Sequence, residues 1–426
     1  MGKKPIIAFL IRLPTLTLIS GGKTMEKKSS REVKLVSAKL FQQLTGKRLR
    51  ILVIQAGFAY HKSPHLFQWL WVFILLPFLE EDSLNELSEN YGQQLRKLYP
   101  ILIHYYQAFQ KLLQLLAFPI FFEELAKFSQ GNESYQSRHR PMIIVDDTKT
   151  EKSGKIMEFL HRLFDHVKDT YIMGYNPVVI LAVFGDFVFP ISIMLWLPKT
   201  HPDHRSKNDM ACDFISQLKA ESQKRGCSLD QVEITFDSAY CKQKVIKAAK
   251  NAGLTFVSKP SNNHTFEFEG MRLSPKEIIE KVKDRTWKYY EKDNDYQRFE
   301  LTHPVYGQVV LIVRRRILKN GKVIYDVLIC NKLVYNGVQI NNRYRKRWQI
   351  ELHIKYYKQY LNFGKGQFQK LGAIQSQLYC VALAGLVVAL FRLRLPRKVS
   401  FRTAVKRIIK LIYHGQSPPF QPLAAN

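Results

Sequence analysis

The chain has 426 residues; 46% are hydrophobic, and 65 Lys and Arg stand against 35 Asp and Glu, a formal net charge of +30. The apolar fraction excludes a disordered chain, and the length exceeds one small domain and accommodates two or three sizeable cores. So large a positive excess points to a polyanionic partner, nucleic acid ahead of an anionic membrane surface. The excess is uneven, because the 75 residues after Glu351 contain 12 Lys or Arg and no Asp or Glu. Cys212, Cys227, Cys241, Cys330 and Cys380 are scattered without Cys-x-x-Cys spacing, which fits reduced thiols in a cytoplasm and argues against a zinc module.

At the amino terminus, "MGKKPIIAFLIRLPTLTLISGGKT" loosely resembles a secretion signal, but Arg12 and Pro14 interrupt its apolar core. "SGGKT" ends like a phosphate loop, with Thr17 where the first glycine should stand; Met25 is an alternative start. The apolar runs 66–79 and 380–391 fall short of the roughly 18–20 residues that span a bilayer, so both read as buried helices and no membrane partner is expected. Residues 37–130 have a helical pattern, in which Ser83 with Glu86 three positions on forms a capping box. Either DNA reading by a helix-turn-helix or plain packing suits that region.

"GNESYQSRHRP" (131–141) reads as a polar linker, and the pattern then changes. "MIIVDD" is a short buried strand ending in acids. "PVVILAVFGDFVFPISIMLWL" is two strands turned at Gly185-Asp186. "SKNDMACDFISQLKAESQKRG" is a helix closed by Gly226, "VEITFDS" a strand ending at Asp237, "CKQKVIKAAKNAG" a helix closed by Gly253, and "LTFVSKP" another strand. Residues 285–333 are β-rich, with Asn320-Gly321 turning the last two strands. "RYRKRWQIELHIKYYKQYLNFGK" (343–365) follows as one long helix, then a second apolar helix and a basic tail. The order predicts a mixed α/β plan.

Asp146, Asp147 and Asp237 stand at the carboxyl ends of very apolar strands, where open α/β sheets expose a crevice; aspartate also caps helices and starts turns there. On a single helix Tyr344, Arg347, Glu351 and Lys358 share one stripe, while Ile350, Ile354, Tyr357 and Leu361 form another that can dock on a sheet. Taken alone, Arg347 and Glu351 are an ordinary i,i+4 surface pair. His161 and His166, five apart, fall off one helical face and read as surface.

The Tyr-x2-Arg-x3-Glu-x6-Lys spacing of Tyr344, Arg347, Glu351 and Lys358 resembles the signature of bacterial insertion-sequence transposases of the insertion-sequence-four group, within the Asp-Asp-Glu (DDE) class. "VDDT" and "FDSAY" resemble the first and second motifs of that group, and a β-rich stretch between the second Asp and the Glu is also shared. The likeness covers roughly residues 140–395. It implies an RNase H-like mixed sheet with flanking helices, split into 140–262 and 335–395 by a β-rich insertion at 263–334. A helical amino-terminal region (1–130), a candidate for binding the DNA ends, precedes it and a basic tail (396–426) follows. It further implies that Asp146, Asp237 and Glu351 hold two Mg2+ or Mn2+ ions about 3.5–4 Å apart for in-line phosphoryl transfer. Asp146 fits the Asp-x-Thr spacing to Thr148; Asp147 is the alternative, since consecutive strand side chains face opposite ways.

By the same resemblance Tyr344, Arg347 and Lys358 contact DNA phosphate, and Trp287 and Tyr289 are aromatic candidates for stacking a flipped base. The implied substrate is double-stranded DNA, at element ends and target, in a homodimeric complex on the nucleoid of a bacterial cytoplasm. A related nuclease without strand transfer and a non-catalytic DNA-binding derivative are the competing readings.

Overall fold

A computed structural model of the chain describes residues 47–58, 76–78 and 98–413, except 154–155, 166, 292–293, 367 and 396. The amino-terminal stretch, the Ser83–Glu86 box, most of the 66–79 run, His166 and the tail beyond 413 lie outside the described residues. In chain order the strands are β1 (Pro141–Asp147), β2 (Thr150–Glu151), β3 (His161–Asp165), β4 (Thr170–Phe184), β5 (Phe187–Trp196), β6 (Glu233–Phe236), β7 (Thr255–Ser258), β8 (Phe266–Phe268), β9 (Met271–Leu273), β10 (Lys288–Glu291), β11 (Asn294–His303), β12 (Gly307–Ile317) and β13 (Val323–Cys330). The helices are α1 (Lys47–Gln55), α2 (Leu98–His104), α3 (Tyr106–Gln130), α4 (Glu133–His139), α5 (Lys207–Lys224), α6 (Gln243–Asn251), α7 (Pro275–Val282), α8 (Gly337–Arg345), α9 (Trp348–Tyr360), α10 (Leu371–Arg394) and α11 (Phe401–Tyr413). The fold is mixed α/β, one large mixed sheet flanked by helices.

Neighbours across that sheet run β10-β11-β12-β13-β7-β6-β1-β4, with β2, β3 and β5 all pairing β4. β1 has no polar residue before Asp146, and Met142 to Val145 are fully buried. It is sandwiched in the plane between antiparallel β4 and parallel β6, as expected of a strand with both faces covered. The β4–β5 hairpin turns at Gly185-Asp186, with Phe184 opposite Phe187. Gly185 takes a φ of +61° there, a left-handed conformation that glycine adopts without steric cost.

The helices obey local capping rules. Ser206 accepts from Asp209 N–H and Asp209 reciprocates, opening α5 with a capping box. The supposed linker 131–141 contains the short α4, whose cap Asn132 accepts from Tyr135 N–H at 2.9 Å; its polarity reflects exposure, not lack of structure. The apolar α10 is 24 residues long, long and apolar enough to cross a membrane by length and composition, and it is packed instead against α3, β5 and α11. Sequence reading missed β2, β3, the β8–β9 hairpin and α7.

β10–β13 do not form a separate sheet. β13 joins β7 through two residue pairs, Ile329 with Ser258 and Cys330 with Val257. The next residue, Asn331, prolongs the ladder with its side chain: its Oδ1 accepts from Phe256 N–H (2.7 Å) and its Nδ2 donates to Leu254 O (3.1 Å). Farther out, Arg314 of β12 donates Nε and Nη2 to both oxygens of Asp326 on β13 at 2.6 Å, and Nη1 to Asn341 of α8 at 2.6 Å. Both ions are buried, so the pair ties the β-rich leaf to α8. Arg314→Met should cost about 3 kcal/mol in chemical unfolding, because it leaves the buried Asp326 with Arg316 Nη2 at 3.2 Å as its remaining cation, and Arg314→Met with Asp326→Leu should recover most of it; additive losses would contradict that account.

Candidate active site

The site begins with strand register. Val145 pairs with Phe236 in the parallel β1–β6 ladder, so one step farther Asp146 and Asp237 stand side by side at the carboxyl ends of adjacent strands. Asp146 and Asp147 alternate across the sheet. Asp147 is held by Lys207 Nζ of α5 (2.7 Å) and by the Tyr240 hydroxyl (3.1 Å). Tyr240, three residues after Asp237, is buried, so the tyrosine of "FDSAY" clamps the second acid of "VDDT". Asp237 Oδ1 accepts the N–H groups of Ala239 (2.9 Å) and Tyr240 (3.3 Å), shaping the turn before α6.

The expected single helix at 343–365 is broken into α8 and α9. Between them Lys346, Arg347, Gln349 and Ile350 donate their backbone N–H to the third residue back, not the fourth, a tightened turn of 3₁₀ type. Tyr344 therefore lies on α8, Arg347 at the junction, and Glu351 and Lys358 on α9. Arg347 Nη1 donates to Asp146 Oδ2 at 2.9 Å and Nη2 to Glu351 Oε1 at 2.5 Å. One guanidinium thus bridges the first and third predicted acids. Glu351 remains 45% exposed, against 15% for Asp146.

Several cations of this segment are used internally, not displayed to a ligand. Arg343 Nε reaches the buried Glu233 at the start of β6 (2.6 Å), which also accepts from the Tyr335 hydroxyl (2.8 Å). Arg345, by contrast, is exposed, in a surface pair with Glu291. Lys358 Nζ donates to Thr148 Oγ1 and Lys149 O, both at 2.8 Å, fastening α9 to the loop after β1. Tyr344 is half-buried, with the Arg314 and Arg347 guanidiniums 5.5 and 5.8 Å from its ring centre. Trp287 donates to Lys283 O and packs on Tyr325 and Arg315. Tyr289 is exposed, and so is Trp348, beside Arg347, at 70%; no spacing singled Trp348 out. His161 opens β3, half-buried against Trp196.

Burial, reinforced by the neighbouring Asp237 charge and opposed by Arg347, pushes the Asp146 carboxyl up to about 7. Burial also raises Asp237, against the two backbone donors. Burial lowers Lys358. Among the described residues no three His, Cys, Asp or Glu side chains are grouped to hold a metal ion. The donor chemistry nevertheless fits a hard divalent cation: oxygen-bearing side chains stand on neighbouring strand ends, the Asp237 charge raises the proton affinity of Asp146, the Asp147 charge raises that of Asp237, and Arg347 offsets both.

The profile of the transposase DDE domain family matches residues 137–386, and the chain belongs to that family. It is on that ground a transposase, an enzyme of DNA, in a family that works with divalent metal ions. No curated protein matches the sequence. Among solved structures it is similar to the NurA nuclease from Sulfolobus solfataricus, at 12% identity over 59% of this chain and 86% of that one, with a TM-score of 0.24, too low to bear on fold or activity.

Because the folded chain binds the Asp146 proton more tightly than the unfolded chain, its charge destabilises the fold as pH rises above the ordinary carboxylate range, fully so above about 7. The Tm of Asp146→Asn relative to wild type should therefore climb between about pH 4 and pH 7 and level off above that. A difference independent of pH, by circular dichroism melts, would refute the raised value.

Proposed function

We propose that this transposase cleaves and joins the ends of its own insertion sequence by two-metal-ion phosphoryl transfer, with Asp146, Asp237 and Glu351 as ligands of Mg2+ or Mn2+. The observation that carries this reading is the β1–β6 register that levels Asp146 with Asp237, with Glu351 tied to Asp146 through Arg347. The five strands β5-β4-β1-β6-β7 support an RNase H-like core: an antiparallel triplet followed by two parallel strands. Metal ions, when bound, activate the attacking oxygen and stabilise the leaving one. Asp147 is assigned to the scaffold through Lys207 and Tyr240, not to the ligand set.

The protein's own groups supply substrate positioning. Arg347 lies against the acids with the Tyr344 ring beside its guanidinium, and both serve the scissile phosphate. Lys358 holds Thr148 and the β1–β2 loop in place, keeping α9 and Glu351 at the strand ends. Trp348 offers an exposed ring for a displaced base. Beyond the site, Arg402, Lys406 and Lys410 are exposed at four-residue intervals on α11, whose Phe401, Ala404, Val405 and Ile408 are buried. Spaced about 6 Å apart along the helix, they suit the backbone of duplex DNA. Two copies of the chain would pair two element ends.

Glu351→Gln should abolish Mg2+-dependent cleavage of duplex DNA from the flanks of the coding region while leaving gel-shift affinity nearly unchanged; cleavage at the wild-type rate removes Glu351 from the chemistry. Changing Arg402, Lys406 and Lys410 together to Gln should reduce the slope of log affinity against log salt by about 2–3, since each phosphate contact contributes roughly 0.9. An unaltered slope would place the duplex elsewhere.

A further inference from the structure

Arg347 sits where the acids need a cation. Its two terminal nitrogens engage different carboxylates, Asp146 Oδ2 at 2.9 Å and Glu351 Oε1 at 2.5 Å. The side chain is 20% exposed. Its base is fixed by the tight α8–α9 turn, where Arg347 N–H donates to Tyr344 O at 2.9 Å, so an exchange of partners would move the side chain alone. The other groups around it are the Tyr344 ring and Asp237.

A divalent ion and a guanidinium compete for the same carboxylate oxygens. A phosphodiester competes with the carboxylates for the guanidinium, because its two non-bridging oxygens can accept bidentately from the planar fork of arginine. The three partners are therefore linked. With no phosphate present, Arg347 shares its single positive charge between Asp146 and Glu351, occupies one oxygen of each, and opposes the entry of a metal. When a DNA phosphate draws Arg347 away, the two carboxylates are left buried or half-exposed without a counter-charge, beside Asp237, and their affinity for a cation rises.

Resting on the carboxylate assignment above, we infer that Arg347 is a coupling residue: it makes metal loading of the acids contingent on DNA, and DNA affinity contingent on metal, by exchanging an internal ion pair for a phosphate. The free protein is thereby kept from assembling a loaded site away from its substrate. The coupling is reciprocal by thermodynamic necessity: the factor by which duplex tightens metal equals the factor by which metal tightens duplex.

The test is equilibrium binding of Mn2+ to the full chain, read by the electron paramagnetic resonance signal of free Mn2+, with and without a short duplex from the flanks of the coding region. Wild type should bind Mn2+ at least about tenfold more tightly with duplex, and duplex more tightly by the same factor with Mn2+. Arg347→Gln should bind Mn2+ without duplex about as tightly as wild type does with it, and its coupling factor should fall to near one. Arg347→Lys, able to pair with one carboxylate but not bridge two, should be intermediate. Melting curves of both variants establish that they are folded, and if Arg347→Gln is not, Arg347→Lys alone decides. If a folded Arg347 variant binds Mn2+ no more tightly than wild type in the absence of duplex, the coupling role is overturned. Glu351→Gln and Asp237→Asn separate that failure from failure of the metal assignment: if they bind Mn2+ as well as wild type in the presence of duplex, the acids are not the ligands and the inference falls with them.

Discussion

Parallel pairing of β1 with β6 is the constraint on which the site depends. It brings two aspartates to the same level at the ends of adjacent apolar strands, where burial disfavours both charges. Two like charges in a shielded crevice are unfavourable unless a positive group joins them. The α8–α9 segment brings that group in the form of Arg347, and with it the third acid. The rest of the fold holds this encounter in place: the Glu233–Arg343 contact at the opposite end of β6, the Lys358 bonds to the β1–β2 loop, and Arg314 on Asn341.

Much of this was legible in the sequence because the signals were local. Short apolar runs bounded by acids or glycines gave β1, β6 and β7. The Gly185-Asp186 turn gave the β4–β5 hairpin, and Gly226 marked the end of α5. What escaped was set by tertiary partners. The tight turn at Lys346–Arg347 has no glycine or proline to announce it; the chain bends where Arg343 anchors α8 to Glu233 and Arg347 reaches Asp146. A regular 3.6-residue stripe through Tyr344, Arg347, Glu351 and Lys358 therefore misplaced Tyr344 relative to the others. Spacing also could not tell that Lys358 spends its protons on Thr148 and Lys149, or that Arg343 is consumed by Glu233.

The two consecutive aspartates show the same division. Alternation requires that they face opposite sides, but which side carries chemistry depends on what covers each face. Lys207 from α5 and the Tyr240 hydroxyl cover one, Arg347 and Glu351 the other. The Asp-x-Thr spacing pointed to Asp146; the proposal that it, not Asp147, is the ligand leans on these different partner sets.

Asn331 has a consequence for how the β-rich leaf is attached. A carboxamide presents one acceptor and one donor, the same complement as a peptide unit, and here it substitutes for the backbone opposite Phe256 and Leu254. The main chain is thus released from the sheet one residue early and can turn toward α8 while the edge of β7 stays satisfied. The splice between leaf and core is consequently chemical as much as conformational: an isosteric carboxylate at that position would forfeit the donor and set a negative charge against the Leu254 carbonyl.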